Sequence, residues 1–174
     1  FPLRNISFPF TDASRPAIYT GRMRNFVIIG AGGFAREVLD IFEACIDAGQ
    51  NYNVLGYIVE AQFGAPGTIV NDKPVLGGFE WFKTQPPDTY TVCGVGAPEV
   101  RRRLTLLAEQ NGARFGNIIH PNAVVTRRVT LGEGVVITAG CIFTNQIRLG
   151  NHVHVNLDCT IGHDAVLEDY ATLA

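Results

Sequence analysis

From Ile119 onward a large apolar residue recurs at every sixth position: Ile119, Val125, Leu131, Ile137, Phe143, Leu149, Val155, Ile161, Leu167 and Leu173. Four residues after each of the first nine stands a further apolar, mostly small residue: Ala123, Val129, Val135, Cys141, Ile147, Val153, Cys159, Ala165 and Ala171. A period of six matches neither the 3.6 of a helix nor the 2 of a strand, so it requires a repeat in which each hexad supplies one short strand and one bend. Three hexads close a triangular coil of 18 residues, with the large residue inside, the small one where faces converge, and glycine or polar residues at the corners. Coils then stack at the inter-strand spacing of about 4.8 Å. Cys141 and Cys159 lie 18 apart and are expected to stack inside as thiols rather than as a bridge. The stretch holds only about three coils and stops within a hexad without a polar cap, so the expectation is a truncated β-helix or an edge covered by another chain.

Ahead of the hexads the periodicity is different. Phe26-Val27-Ile28-Ile29 suits a strand buried on both faces, Gly30-Ala31-Gly32-Gly33 a tight turn, and Phe34, Val38, Leu39, Ile41, Phe42 and Cys45 one face of a helix. Val54–Val59 completes a βαβ unit. A second unit comprises a strand over Tyr90–Val95, a helix from Pro98 to Gln110 and a further strand over Arg114–Ile118, while Gln62–Gly78 reads as a loop with a short hairpin. Strands alternating with helices imply a parallel sheet. The fold class is therefore α/β plus all-β: a small Rossmann-like domain over 23–118, followed by a parallel β-helix over 119–174. Met23 is the only methionine and reads as the natural start, with residues 1–22 an extension, expected to be disordered, outside the fold.

A net charge of -2 leaves no cationic excess for nucleic acid or an anionic membrane. No window reaches the roughly 18 apolar residues of a membrane span, and residues 1–22 lack a signal peptide's apolar core, which points to the cytoplasm. Four cysteines without metal-ligand spacing fit reduced thiols, and no metal is expected.

Gly30-x-Gly32-x-x-Ala35 fits a dinucleotide fingerprint, since its glycines admit a phosphate to the N-terminus of the following helix. A structural tight turn is the plainer alternative. Glu60, at the end of the second strand, suits a ribose hydroxyl or simply an exposed loop. Arg101-Arg102-Arg103 reads as a solvated helix face with no binding role. His120 is expected to bond locally, and His152 and His154 to be a solvated pair on a coil corner. His163 takes an outward corner position in the hexad Ile161–Val166, with Asp164 beside it and Asn145 one coil below.

Val27–Asp40, Pro74–Gly78, His120-Pro121 and Asn156–Asp164 together resemble the sialic acid O-acetyltransferase/sugar-nucleotide N-acetyltransferase family of NeuD/PglD type. The resemblance covers Met23 to Ala174. It implies a left-handed β-helix, a homotrimer with sites between adjacent helices, acetyl-CoA as co-substrate, and a nucleotide-linked sugar as acceptor, in bacterial surface glycan synthesis. Carried over by motif, His163 is the general base, framed by Asn156 and Asp164, and Gly30, Gly32, Gly33 and Glu60 bind the nucleotide sugar. Thr172 stands where several relatives carry a second histidine, and Val59-Glu60 where many carry paired aspartates. Which sugar, which nucleotide, and N- or O-acetylation stay open. The rival classes are an NAD(P)-dependent oxidoreductase fragment, resting on the glycine turn, and a noncatalytic β-solenoid that builds an oligomer.

Overall fold

A computed structural model describes residues 23–174; the expected extension over residues 1–22 and its disorder lie outside the described residues. Five strands form the first sheet: β1 (Arg24–Ile29), β2 (Tyr52–Ile58), β3 (Ile69–Val70), β4 (Lys73–Gly77) and β5 (Thr89–Cys93), in the order β3-β4-β2-β1-β5. All pairings are parallel except the β3–β4 hairpin. Strand β1 is central, and its alternating side chains serve two cores. Phe26 and Ile28 pack under α1 (Gly33–Asp47), whereas Val27 and Ile29 pack under α2 (Pro98–Gln110). The two helices thus cover opposite faces, and the chain leaves β1 toward β2 but returns on its other side as β5. That reversal opens a crevice at the carboxyl ends of β1 and β5, where α/β sheets take their ligands.

The hexads form the expected parallel β-helix. One face holds β7 (Val124–Val125), β10 (Ile142–Phe143) and β13 (Thr160–Ile161); a second holds β8 (Val129–Leu131), β11 (Ile147–Leu149) and β14 (Val166–Leu167). The third is β6 (Ile118–Ile119), β9 (Val136–Ile137), β12 (His154–Val155) and β15 (Thr172–Leu173). Each ladder is in an 18-residue register, as in Ile142↔Val124 and Ile142↔Thr160. Cys141, Phe143, Ile147, Val153 and Val155 are fully enclosed, and none of the inward large residues is exposed. Cys141 and Cys159 are free thiols within this stack.

Every sixth corner residue from Gly134 to Tyr170 has a positive φ: Gly134, Gly140, Gln146, His152, Asp158, Asp164 and Tyr170, all between 55° and 73°. The left-handed conformation turns the chain from one face to the next. For the non-glycine members it costs on the order of 1 kcal/mol each, which the ladders on both sides must hold in place.

Three expectations are corrected at the junction of the two parts. Arg114–Ile118 is not a strand: Phe115 makes only an isolated bridge to Thr91, and Ile118 starts the first β-helix strand. Arg101 is not on a solvated face; it is fully buried, along with Leu104, Thr105 and Ala108. His152 and His154 are not a solvated pair either, being 3% and 0% exposed. The cause is common to the last two. The third β-helix face turns its outward residues Ile118, Val136 and His154 toward the α/β domain, with the Phe34 ring 4.9 Å from that of His154 and the Cys45 thiol donating to the Ile119 carbonyl at 3.3 Å. His152 stacks on Tyr170 at 5.1 Å and meets the edge of Phe115 at 4.5 Å.

Burial, reinforced by the Arg101 charge, pushes His152 down to about 4 and His154 down to about 2. Both are neutral in the fold and titrate near 6.5 when unfolded. Below pH 6.5 the unfolded chain takes up protons that the native chain refuses, so stability falls with pH. Each histidine contributes a slope of up to about 1.4 kcal/mol per pH unit, ending near pH 4 for His152 and near pH 2 for His154. Denaturant titrations from pH 7 to pH 4 should show this loss, and His152→Phe should flatten the slope by about one proton's worth. An unchanged slope would mean that His152 is not buried as a neutral ring.

Candidate active site

The β7–β13 face ends in a corner where positions 127, 145 and 163 stack in 18-residue register, bringing Arg127, Asn145 and His163 into one column. The Asp164 amide donates to the Asn145 carbonyl at 3.0 Å and ties the upper two coils together. His163 is 78% exposed, and its Nδ1 lies 2.7 Å from Asp164 Oδ2. With the Nδ1–H donating to the carboxylate, the lone pair is on Nε2 of an exposed ring, the arrangement required of a general base. Beneath it lies an open groove of about 510 Å³ lined by Thr126, Arg127, Arg128, Thr144 and Asn145, with the Thr126 hydroxyl bonded to the Thr144 carbonyl. Only Asn145 of these was singled out from the sequence; the 18-residue spacing carried the signal for Arg127. Asn156 is on the preceding corner. Its carbonyl accepts from the Cys141 thiol at 3.1 Å, and among the described residues no hydrogen bond links it to His163 or Asp164.

A second constellation lies at the crevice of the α/β sheet. Gly30 has φ +92°, and a Cβ there would meet Val95 at 2.9 Å. Gly94 comes so close to α1 that a Cβ would lie 2.6 Å from the Ala35 Cα. The turn at Gly30–Gly33 and the loop at Gly94–Gly96 are thus the facing walls, and the second wall went unread in the sequence. Helix α1 starts at Gly33 with no side-chain cap and no acidic residue in its first turn, which leaves its amide end free for an anion. Glu60 is not a free loop carboxylate. Arg103 grips both its oxygens at 2.8 Å, and this bidentate bond holds its carboxyl below the usual range. His120 bonds locally as expected, accepting from the Asn122 amide at 3.2 Å.

Among the described residues there is no group of three or more metal-ligating side chains and no helix long and apolar enough to cross a membrane. A parallel α/β domain joined to a triangular β-helix is the fold that this chain shares with solved acetyltransferase structures. Residues 25–106 match the family model described as the PglD N-terminal domain. The chain is 26% identical to the GDP-perosamine N-acetyltransferase of Escherichia coli O157:H7 over 87% of its own length and 68% of that protein's. It superposes with a TM-score of 0.73 and 28% identity on PerB from Caulobacter crescentus, solved with CoA and GDP-perosamine, covering 87% of this chain and 69% of that one. The acetyltransferase domain of PglB from Neisseria gonorrhoeae, in complex with acetyl coenzyme A, gives 0.73 at 26% identity, covering 87% and 70%.

Proposed function

We propose that this chain transfers the acetyl group of acetyl-CoA to an amino group of a nucleotide-linked sugar, with His163 as the base. The observation that carries the reading is the exposed His163–Asp164 pair, stacked in one column with Asn145 of an open groove. The amine nitrogen attacks the thioester carbonyl, a C–N bond forms, the C–S bond breaks with CoA leaving as thiolate, and His163 removes the proton from nitrogen. Asp164 holds the ring in the reactive tautomer and offsets the charge it gains. Similarity to enzymes named for N-acetylation favours an amine over a hydroxyl. Asn156 is assigned to the frame of this site by its motif.

The nucleotide diphosphate is assigned to the turn at Gly30, Gly32 and Gly33, with Glu60 toward the ribose. His163 is too exposed here to exclude water, so a neighbouring subunit is expected to cover it. Val124 and Ile142, 54% and 42% exposed and paired in one ladder, supply an apolar strip beside that corner for a homotrimer. The free thiols suit a reducing cytoplasm. A dinucleotide-dependent dehydrogenase uses two mononucleotide-binding halves, and the five-stranded sheet amounts to a single half.

Acetyl transfer from acetyl-CoA to a panel of UDP-, GDP-, dTDP- and CMP-linked aminosugars tests the reading, and a protein that acetylates none of them overturns it. Gly32 has φ -78°, and no atom lies within 4 Å of where a Cβ would stand, so Gly32→Val should fold normally yet fill the space a phosphate needs. Its affinity for the best nucleotide sugar should drop by roughly tenfold or more, the size of one lost anion contact at a helix end. Unchanged affinity would remove the turn from the site.

A further inference from the structure

Building on that reading, we propose that Arg101 is a positioning residue whose guanidinium fixes the reach between the nucleotide crevice and the acetyl-transfer corner. Its Nη1 donates to the carbonyls of Val95 at 3.2 Å and Gly96 at 2.8 Å, which belong to the crevice wall facing Gly30. The same Nη1 lies 3.1 Å from His154 Nδ1. Nη2 donates to the Tyr170 carbonyl at 2.6 Å, the Ala171 carbonyl at 3.3 Å and the Thr172 hydroxyl at 2.9 Å, on the β-helix corner that follows His163 by one face. One rigid planar group therefore joins the loop that would hold one end of the substrate to the coil that carries the base.

The charge itself argues for geometry over adhesion. Arg101 is fully buried, and no described carboxylate hydrogen-bonds it. Burying an ion is costly, and well-packed apolar residues of similar volume often hold an interface as well or better. What an apolar residue lacks is a fork that satisfies several carbonyls at fixed angles, and lysine cannot reproduce that fork. A sugar tethered by its nucleotide can react only if crevice and base are correctly spaced, and an error near 1 Å costs about 10²-fold in rate.

The test compares a tethered with an untethered acceptor. Arg101→Lys should lower kcat for the nucleotide-linked aminosugar by roughly 10- to 100-fold. The same variant should bind the free nucleoside diphosphate within about threefold of wild type and acetylate the free aminosugar, supplied at high concentration, within about threefold, because the Gly30–Gly33 turn and His163 are themselves unchanged. Equal loss on both acceptors, or no loss on the tethered one, overturns the proposal. Should Arg101→Lys fail to fold, Thr172→Val removes a single acceptor of the same fork; it should show the same asymmetry at about threefold or more, and its absence is likewise decisive. A wild-type protein inactive on both acceptors is seen before any substitution and overturns the acetyl-transfer reading together with this inference.

Discussion

His163→Ala is expected to lower kcat by about 10²- to 10⁴-fold while acetyl-CoA binding changes little, because the lost proton transfer belongs to the transition state. That range corresponds to roughly 2.7–5.5 kcal/mol of barrier. Stability should be almost unaffected: the side chain is 78% exposed on a corner, and substitutions at such positions are usually within about 0.5 kcal/mol. Steady-state kinetics on a variant with unchanged melting would decide the matter. Retention of more than about a third of the wild-type kcat would remove His163 from the role of base, and the site would then be sought around Asn145, Asn156 and Asp158.

The second large effect is on stability. Phe143 is fully enclosed in the middle coil and laddered between Val125 and Ile161. Phe143→Ala should cost about 3–5 kcal/mol, the usual sum of lost transfer energy and residual cavity. Thr160, one strand above and pointing outward, provides the contrast, since Thr160→Ala should stay within about 0.5 kcal/mol. Denaturant midpoints for the two variants measure the difference directly. A loss below about 1 kcal/mol at Phe143 would mean that the coil interior is not close-packed there.

The interior of the β-helix was legible because its register equals its sequence spacing: one hexad phase names every inward side chain. Helix α2 was legible from Pro98 to Gln110, and β1 with its glycine turn from a short apolar run ending in Gly30. Outward residues were harder. Whether Arg101, His152 or His154 meets water depends on which of three equivalent faces the α/β domain covers, and that choice leaves no periodic trace in the chain. Strand order hid the loop at Gly94–Gly96, whose role comes from β5 lying beside β1. Glu60 could be placed at the end of β2, but its partner lay 43 residues on in a run of arginines that looked uniform. His163 and Asp164 were found as a pair because they are sequence neighbours; Asn156 came only from the motif, and the fold gives it no bond to either.

The 18-residue ladder also separates two kinetic classes of contact. Rung-to-rung pairs close short loops, so each coil can form on the one beneath it at little entropic cost. The bonds that Arg101 makes to the β-helix span 53 to 71 residues and need both partners already shaped. Contacts within the β-helix are thus local in sequence, whereas those that set its angle to the α/β domain, the Cys45–Ile119 bond across 74 residues among them, are long-range and carry the larger loop-closure cost.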